Sequence, residues 1–189
     1  LEHAAIVPVY DFGEQGGVPY FVMRLMPGGS LADHLKQKGS LTLSDVSRIF
    51  NRLAPALDHA HSKGVIHRDL KPGNILFDQN GDSYLSDFGI AKLTQGSGSF
   101  TGSAIVGTPS YMSPEQAKSE AVVDARSDVY ALGAILFELL TGQTPYKGET
   151  PMGVVVKHIT EPVPRILSID PNLPADCETL ISKAMAKDA

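Results

Sequence analysis

An α+β fold is expected for this chain of 189 residues, and three observations predict it. Two strand-like runs open the sequence around a glycine-rich turn. Apolar residues at helical spacing dominate from residue 30 onward. One long apolar run, 129–140, has the character of a helix buried on nearly all sides. No internal repeat interrupts that order.

In chain order, residues 6–10 and 19–26 read as strands separated by the turn at 13–17. Pro27-Gly28-Gly29 ends the second strand, and Ser30 N-caps a short helix stopping near Gly39. Thr42, with Asp45 three positions on, opens a longer helix as a capping box. Its apolar positions Val46, Ile49, Phe50, Leu53, Leu57 and Ala60 keep helical spacing, and Gly64 stops it. Pro55 removes a hydrogen bond inside that helix and predicts a kink. Short strand pieces are expected at 65–66, 75–77 and 84–86. Residues 94–107, rich in Gly, Ser and Thr, predict a mobile loop. A turn at Ser113-Pro114, the buried helix from about Ser127, and helices near 152–159 and 175–186 complete the chain.

Composition bounds the function. Apolar residues at 42% and charged residues at 20% are ordinary for a soluble domain with a substantial core. A net charge of -5 argues against sequence-independent nucleic-acid binding and leaves a nucleotide substrate open. The single Cys177 excludes an internal disulfide and fits a reducing compartment. The run 129–140 is shorter than the roughly 20 residues a bilayer requires, so no membrane segment is expected. A cytoplasmic location, alone or as the cytoplasmic domain of an anchored protein, follows as the expectation. Because the chain opens on Leu1 without methionine, it is expected to be a fragment.

Chemistry concentrates in His67-Arg68-Asp69-Leu70-Lys71-Pro72-Gly73-Asn74 and, further on, Asp87-Phe88-Gly89. Asp69 is suited to accept or orient a hydroxyl proton. Lys71 can place an ammonium near a transferring phosphate. Asn74 and Asp87 offer hard oxygens to magnesium. Both segments match the catalytic and metal-binding loops of protein kinases. The chain resembles bacterial serine/threonine kinases of the eukaryotic-like (Hanks) type from Leu1 to about Ala189. That resemblance implies a protein kinase-like fold, with 1–26 a remnant of the N-terminal lobe and 27–189 most of the helical C-terminal lobe. It also implies ATP and Mg2+ as cofactors, and transfer of the terminal phosphate to serine or threonine of a protein substrate.

Further roles rest on the same resemblance. His67 packs on Phe88, and Gly89 lets the metal loop swing. Leu76, aided by Leu31, floors the adenine pocket; Met23 is its gatekeeper; the backbone of Arg24 and Met26 reads the adenine edge. Thr108 bridges Asp69 and Lys71. Ser113 stands where the family usually has alanine. Glu115 is expected to lack its family partner, an arginine placed beyond residue 189. Asp128 tethers the catalytic loop. Arg68 waits for a phosphate on Thr101 or Ser103, with Ser97 and Ser99 behind them. Gly73 speaks against a strong preference for basic residues upstream of the target.

Two look-alikes are set aside. In Gly96-Ser97-Gly98-Ser99-Phe100-Thr101-Gly102 the last glycine comes one place late for a phosphate loop. His59 and His61, two apart on a helix, point to different faces and read as solvated or capping residues. The chain carries no glycine loop of its own and no strand lysine of the V-A-I-K kind. The alternative is therefore a catalytically inactive regulatory or docking module, binding magnesium-ATP weakly and exposing apolar surface around Val9, Phe21 and Met23.

Overall fold

Gly16 and Gly17, at φ 60° and 82°, form the two-residue turn of the first hairpin. They join β1 (Val9–Gln15) to antiparallel β2 (Val18–Met23), with Gln15 opposite Val18. Positive φ at both central positions matches the right-handed twist of the strands, which glycine permits without steric cost. The computed structural model describes residues 1–88, 109–120 and 123–187. The expected wide turn at 13–17 is thus corrected: β1 pairs on through Gly13 to Gln15. Residues 5–7 leave that hairpin. Ile6 bridges Leu85 in parallel, Val7 N donates to Leu85 O at 2.8 Å, and Leu85 N donates to Ala5 O at 2.9 Å.

Helix α1 (Leu31–Lys38) starts where Ser30 and Asp33 close a reciprocal capping box, and Gly39 ends it at φ 78°. Helix α2 (Leu43–Ser62) is capped by the Thr42 side chain on Asp45 N. It runs through Pro55, which faces solvent, so water can reach the Asn51 carbonyl left without a partner. Val46, Ile49, Leu53, Ala56, Leu57 and Ala60 make its buried stripe. Residues 65–66 form no strand. They lie in the loop leading to β3 (Ile75–Phe77) and β4 (Ser83–Leu85), a tight antiparallel pair with Ile75 opposite Leu85.

Ser113-Pro114 opens helix α3 (Pro114–Ala117) rather than a simple turn, because Ser113 and Gln116 form a second capping box. Helix α4 (Ala125–Thr141) is the central element. Asp124 caps its start, Gly142 in the left-handed region closes it, and eleven of its seventeen residues are buried. Helices α5 (Pro151–Thr160) and α6 (Ala175–Ala184) flank it. One apolar core joins α2, α4, α6 and the β3–β4 pair with Ala5 and Ile6. Among the described residues, no helix is long and apolar enough to cross a membrane.

Candidate active site

The loop between α2 and β3 is anchored before it carries any chemistry. Asp128, in the first turn of α4, is 1% exposed. Its carboxylate accepts the backbone N–H of His67 and of Arg68, each at 2.9 Å, and His61 Nε2–H at 2.7 Å. Arg68 sits at φ 68°, a strained conformation for a residue with a side chain. Asp128 holds its N–H while Gln116 Nε2 donates to its carbonyl at 2.7 Å, so the strain is locked from both sides. Two of these contacts escape a linear reading. His61 is not a solvated histidine as expected but an anchor of the loop, while His59 stacks on His3 at 5.4 Å. The Ser-x-x-Gln capping box at Ser113 was the available signal for Gln116.

His67 is fully buried. Its Nε2 donates to Ser86 O at 2.8 Å and its ring packs on Phe88 at 4.7 Å. Burial holds its imidazole below the ordinary histidine range, hence neutral. A buried ring engaged with a carbonyl is a packing residue, not an acid or base.

The reacting groups follow within a few ångströms. Lys71 Nζ donates to Asp69 Oδ2 at 2.7 Å. Asn74 Nδ2 donates to Asp69 O at 2.8 Å and to Asp69 Oδ2 at 3.2 Å. Ser86, directly before Asp87, donates from N and from Oγ to the Asn74 carbonyl at 2.9 and 3.0 Å. That pair of bonds carries the metal-binding loop to the catalytic loop. Asp87 stands at φ 61° with an exposed carboxylate.

Magnesium prefers oxygen ligands and keeps several from water or phosphate. Asn74 suits it, since its amide nitrogen is engaged by Asp69 and Oδ1 remains for a cation. Asp87 adds a charged oxygen. Among the described residues no group of three or more His, Cys, Asp or Glu converges as a metal cage. The donors present therefore fit a hard cation shared with phosphates better than a closed structural metal.

At the expected hinge, the segment after β2 is sewn to β3. Gly28 N donates to Phe77 O, Phe77 N donates to Gly29 O, and Ser30 bridges Leu76. A Cβ on Gly28 would lie 2.7 Å from the Asp78 carbonyl oxygen, so glycine is required there. Leu76 keeps partial exposure at this seam, as do Arg24 and Met26, and Met23 is more open. Leu31, at 0% exposure, lies inside the core.

Glu115 is half-buried and accepts the Ser127 hydroxyl, a partner the sequence did not suggest. Beside it a cavity of about 110 Å³ is lined by Arg126, Tyr130 and Lys183. Gly89, the predicted loop 94–107, the set-aside run 96–102, and Thr101, Ser103 and Thr108 lie outside the described residues.

A buried helix aspartate thus anchors a strained loop bearing Asp69, Lys71 and Asn74, with Asp87 tied to it through Ser86. The chain belongs to the protein kinase family: the protein kinase domain matches residues 1–189. It is 40% identical over its whole length to the probable serine/threonine-protein kinase PknB of Lactococcus lactis, covering 30% of that protein. Serine/threonine-protein kinase PrkC of Bacillus subtilis is 37% identical, with the whole chain and 29% of that protein covered. PknB of Mycobacterium tuberculosis is 40% identical, with 31% of it covered. The chain thus spans about a third of the length of these relatives.

Proposed function

We infer that this chain carries the catalytic and metal-binding loops of a serine/threonine protein kinase, transferring the terminal phosphate of ATP to protein hydroxyls. The observation that carries this reading is the cluster of Asp69, Lys71 and Asn74, joined to Asp87 through Ser86. Asp69 orients the incoming hydroxyl and accepts its proton. Lys71, now paired with Asp69, is within reach to neutralise charge on the transferring group. Asn74 Oδ1 and Asp87 would hold Mg2+, which would supply further charge neutralisation during the transfer. Met23, Arg24 and Met26 line the adenine edge, and Leu76 the floor. Thr108 bridges Asp69 and Lys71.

Residues 1–26 are read as the smaller lobe's last strands and hinge, and 27–189 as the larger lobe, with 5–7 reaching across into the larger lobe's core. Arg68 is read as the receiver of a phosphorylated Thr101 or Ser103; its Nε is buried without a partner among the described residues. A cytoplasmic site of action and a protein substrate belong to the same reading. Mass spectrometry of the active full-length gene product should find Thr101 or Ser103 phosphorylated. The activity itself is tested with radiolabelled ATP and a generic Ser/Thr-rich protein: label should transfer, and Asp69→Asn should slow transfer about 10³-fold. Absence of transfer by the phosphorylated, magnesium-supplied full-length product would overturn the reading.

One observation favours the second reading, a regulatory or docking role for residues 1–189 by themselves. β2 is exposed along its whole length and β1 at all but Gly13, leaving Val9, Phe12, Phe21 and Met23 uncovered. The isolated 189-residue chain should bind magnesium-ATP weakly and turn over negligibly, which calorimetry and a phosphotransfer assay would show.

A further inference from the structure

Arg24 follows β2 directly, yet its side chain turns away from the seam towards the β3–β4 hairpin. Its Nη1 donates to Tyr84 Oη at 3.1 Å and its Nη2 to Asp78 Oδ2 at 3.3 Å; the guanidinium lies 5.0 Å from the Tyr84 ring centre. Its backbone N donates to Pro8 O at 3.0 Å. Asp78 is a built receptor, 3% exposed. Oδ1 accepts the backbone N–H of Asn80 and Asp82 across the hairpin turn, while Oδ2 faces Tyr84 and Arg24. Although burial would raise its pKa, these donors hold the carboxyl below the ordinary aspartate range, so it stays charged. Arg52, from α2, covers Tyr84 at 5.2 Å and pairs with Asp82 at 3.6 Å.

We propose that Arg24 is a positioning residue for nucleotide binding: its guanidinium, held by Asp78 and Tyr84, latches the segment after β2 to the β3–β4 hairpin. The proposal rests on the reading that residues 23–26 border adenine. Held at both N–H and side chain, Arg24 has its Cα fixed against the hairpin, which restricts the segment bearing its carbonyl before any ligand arrives. The latch adds to the backbone ties that residues 5–7 make with Leu85 and residues 28–30 make with β3 in fixing the hairpin β1–β2 to the helical body. A ligand meeting an untethered segment would have to order it on binding, which weakens affinity without altering the chemistry at Asp69.

The test uses the full-length gene product and steady-state kinetics at varied ATP. Arg24→Gln and Asp78→Asn should each raise KM for ATP about fivefold, with kcat within about twofold. The double variant should be no worse than the more affected single one, because both remove the same interaction. Tyr84→Phe should raise KM about twofold, and Arg24→Lys, which keeps a cation opposite Asp78 but loses the fork to Tyr84, should recover only part of the loss. Unchanged KM in Arg24→Gln, additive effects in the double variant, or a fall in kcat at constant KM would overturn the latch. A control separates it from the reading beneath it. Leu76→Arg, at the pocket floor, should abolish binding of a fluorescent ATP analogue while the melting transition persists. Binding that survives Leu76→Arg sinks the adenine site; lost binding there with normal KM in Arg24→Gln sinks the latch alone.

Discussion

Around Asp128 three donors converge on one buried carboxylate, whereas along β1 and β2 every residue but Gly13 is exposed to solvent. The first region is over-determined. Its loop is held through backbone by α4, through a carbonyl by α3, and through His67 by the residue preceding Asp87. The second has hydrogen bonds along its ladder and almost no side-chain packing. Chemistry needing sub-ångström placement sits on the first. Strain follows the same division: Arg68 and Asp87, at positive φ, belong to the anchored region, where surrounding contacts can sustain it.

The sharpest way to break this contrast is at Asp69. In the full-length product, Asp69→Asn should lower kcat about 10³-fold and leave the melting temperature nearly unchanged. A comparable loss of stability would mean that Asp69 holds the loop instead of acting from it. Next, Asp128→Ala should destabilise the protein by about 3–5 kcal/mol in denaturant titration, since two backbone N–H groups and His61 lose one buried acceptor. A cost under about 1 kcal/mol would show the loop to be held by other means.

A third test uses pH. His158 is fully buried between Tyr130 and Tyr146, with Lys187 Nζ donating to its carbonyl, and burial first and Lys187 second push its pKa down to about 4. Between pH 6.5 and 4 the unfolded chain takes a proton that the folded chain refuses. Stability is therefore full above pH 6.5 and should decline by about 3 kcal/mol as pH falls to 4, at about 1.4 kcal/mol per pKa unit. In His158→Gln this part of the pH dependence should vanish.

The smallest effect belongs to the hairpin. Phe12→Ser, at a side chain 77% exposed, should change the stability of the 189-residue chain by less than about 0.5 kcal/mol. Leu139→Ala, inside α4, should cost about 3 kcal/mol. Equal losses at the two positions would mean that the hairpin is packed in solution and the contrast is false.

Local chemistry was readable from local sequence. Ser30, Thr42 and Gly39 mark helix ends because caps act within one turn, and the stripe along α2 follows from helical spacing alone. The approach of Asp69, Lys71 and Asn74 is also local, spanning six residues. What escaped were pairings across long separations: His61 with Asp128, Gln116 with Arg68, Arg24 with Asp78.

Sequence by itself indicated most of the elements, their caps, and a set of candidate residues for phosphate and a hard cation. Those properties arise from interactions between residues a few positions apart. Only the tertiary structure decided which polar groups share a buried partner, and so which loop is held from several sides and which strand pair stays exposed. Such partnerships depend on where distant segments meet once the core has closed, and no local preference carries that information.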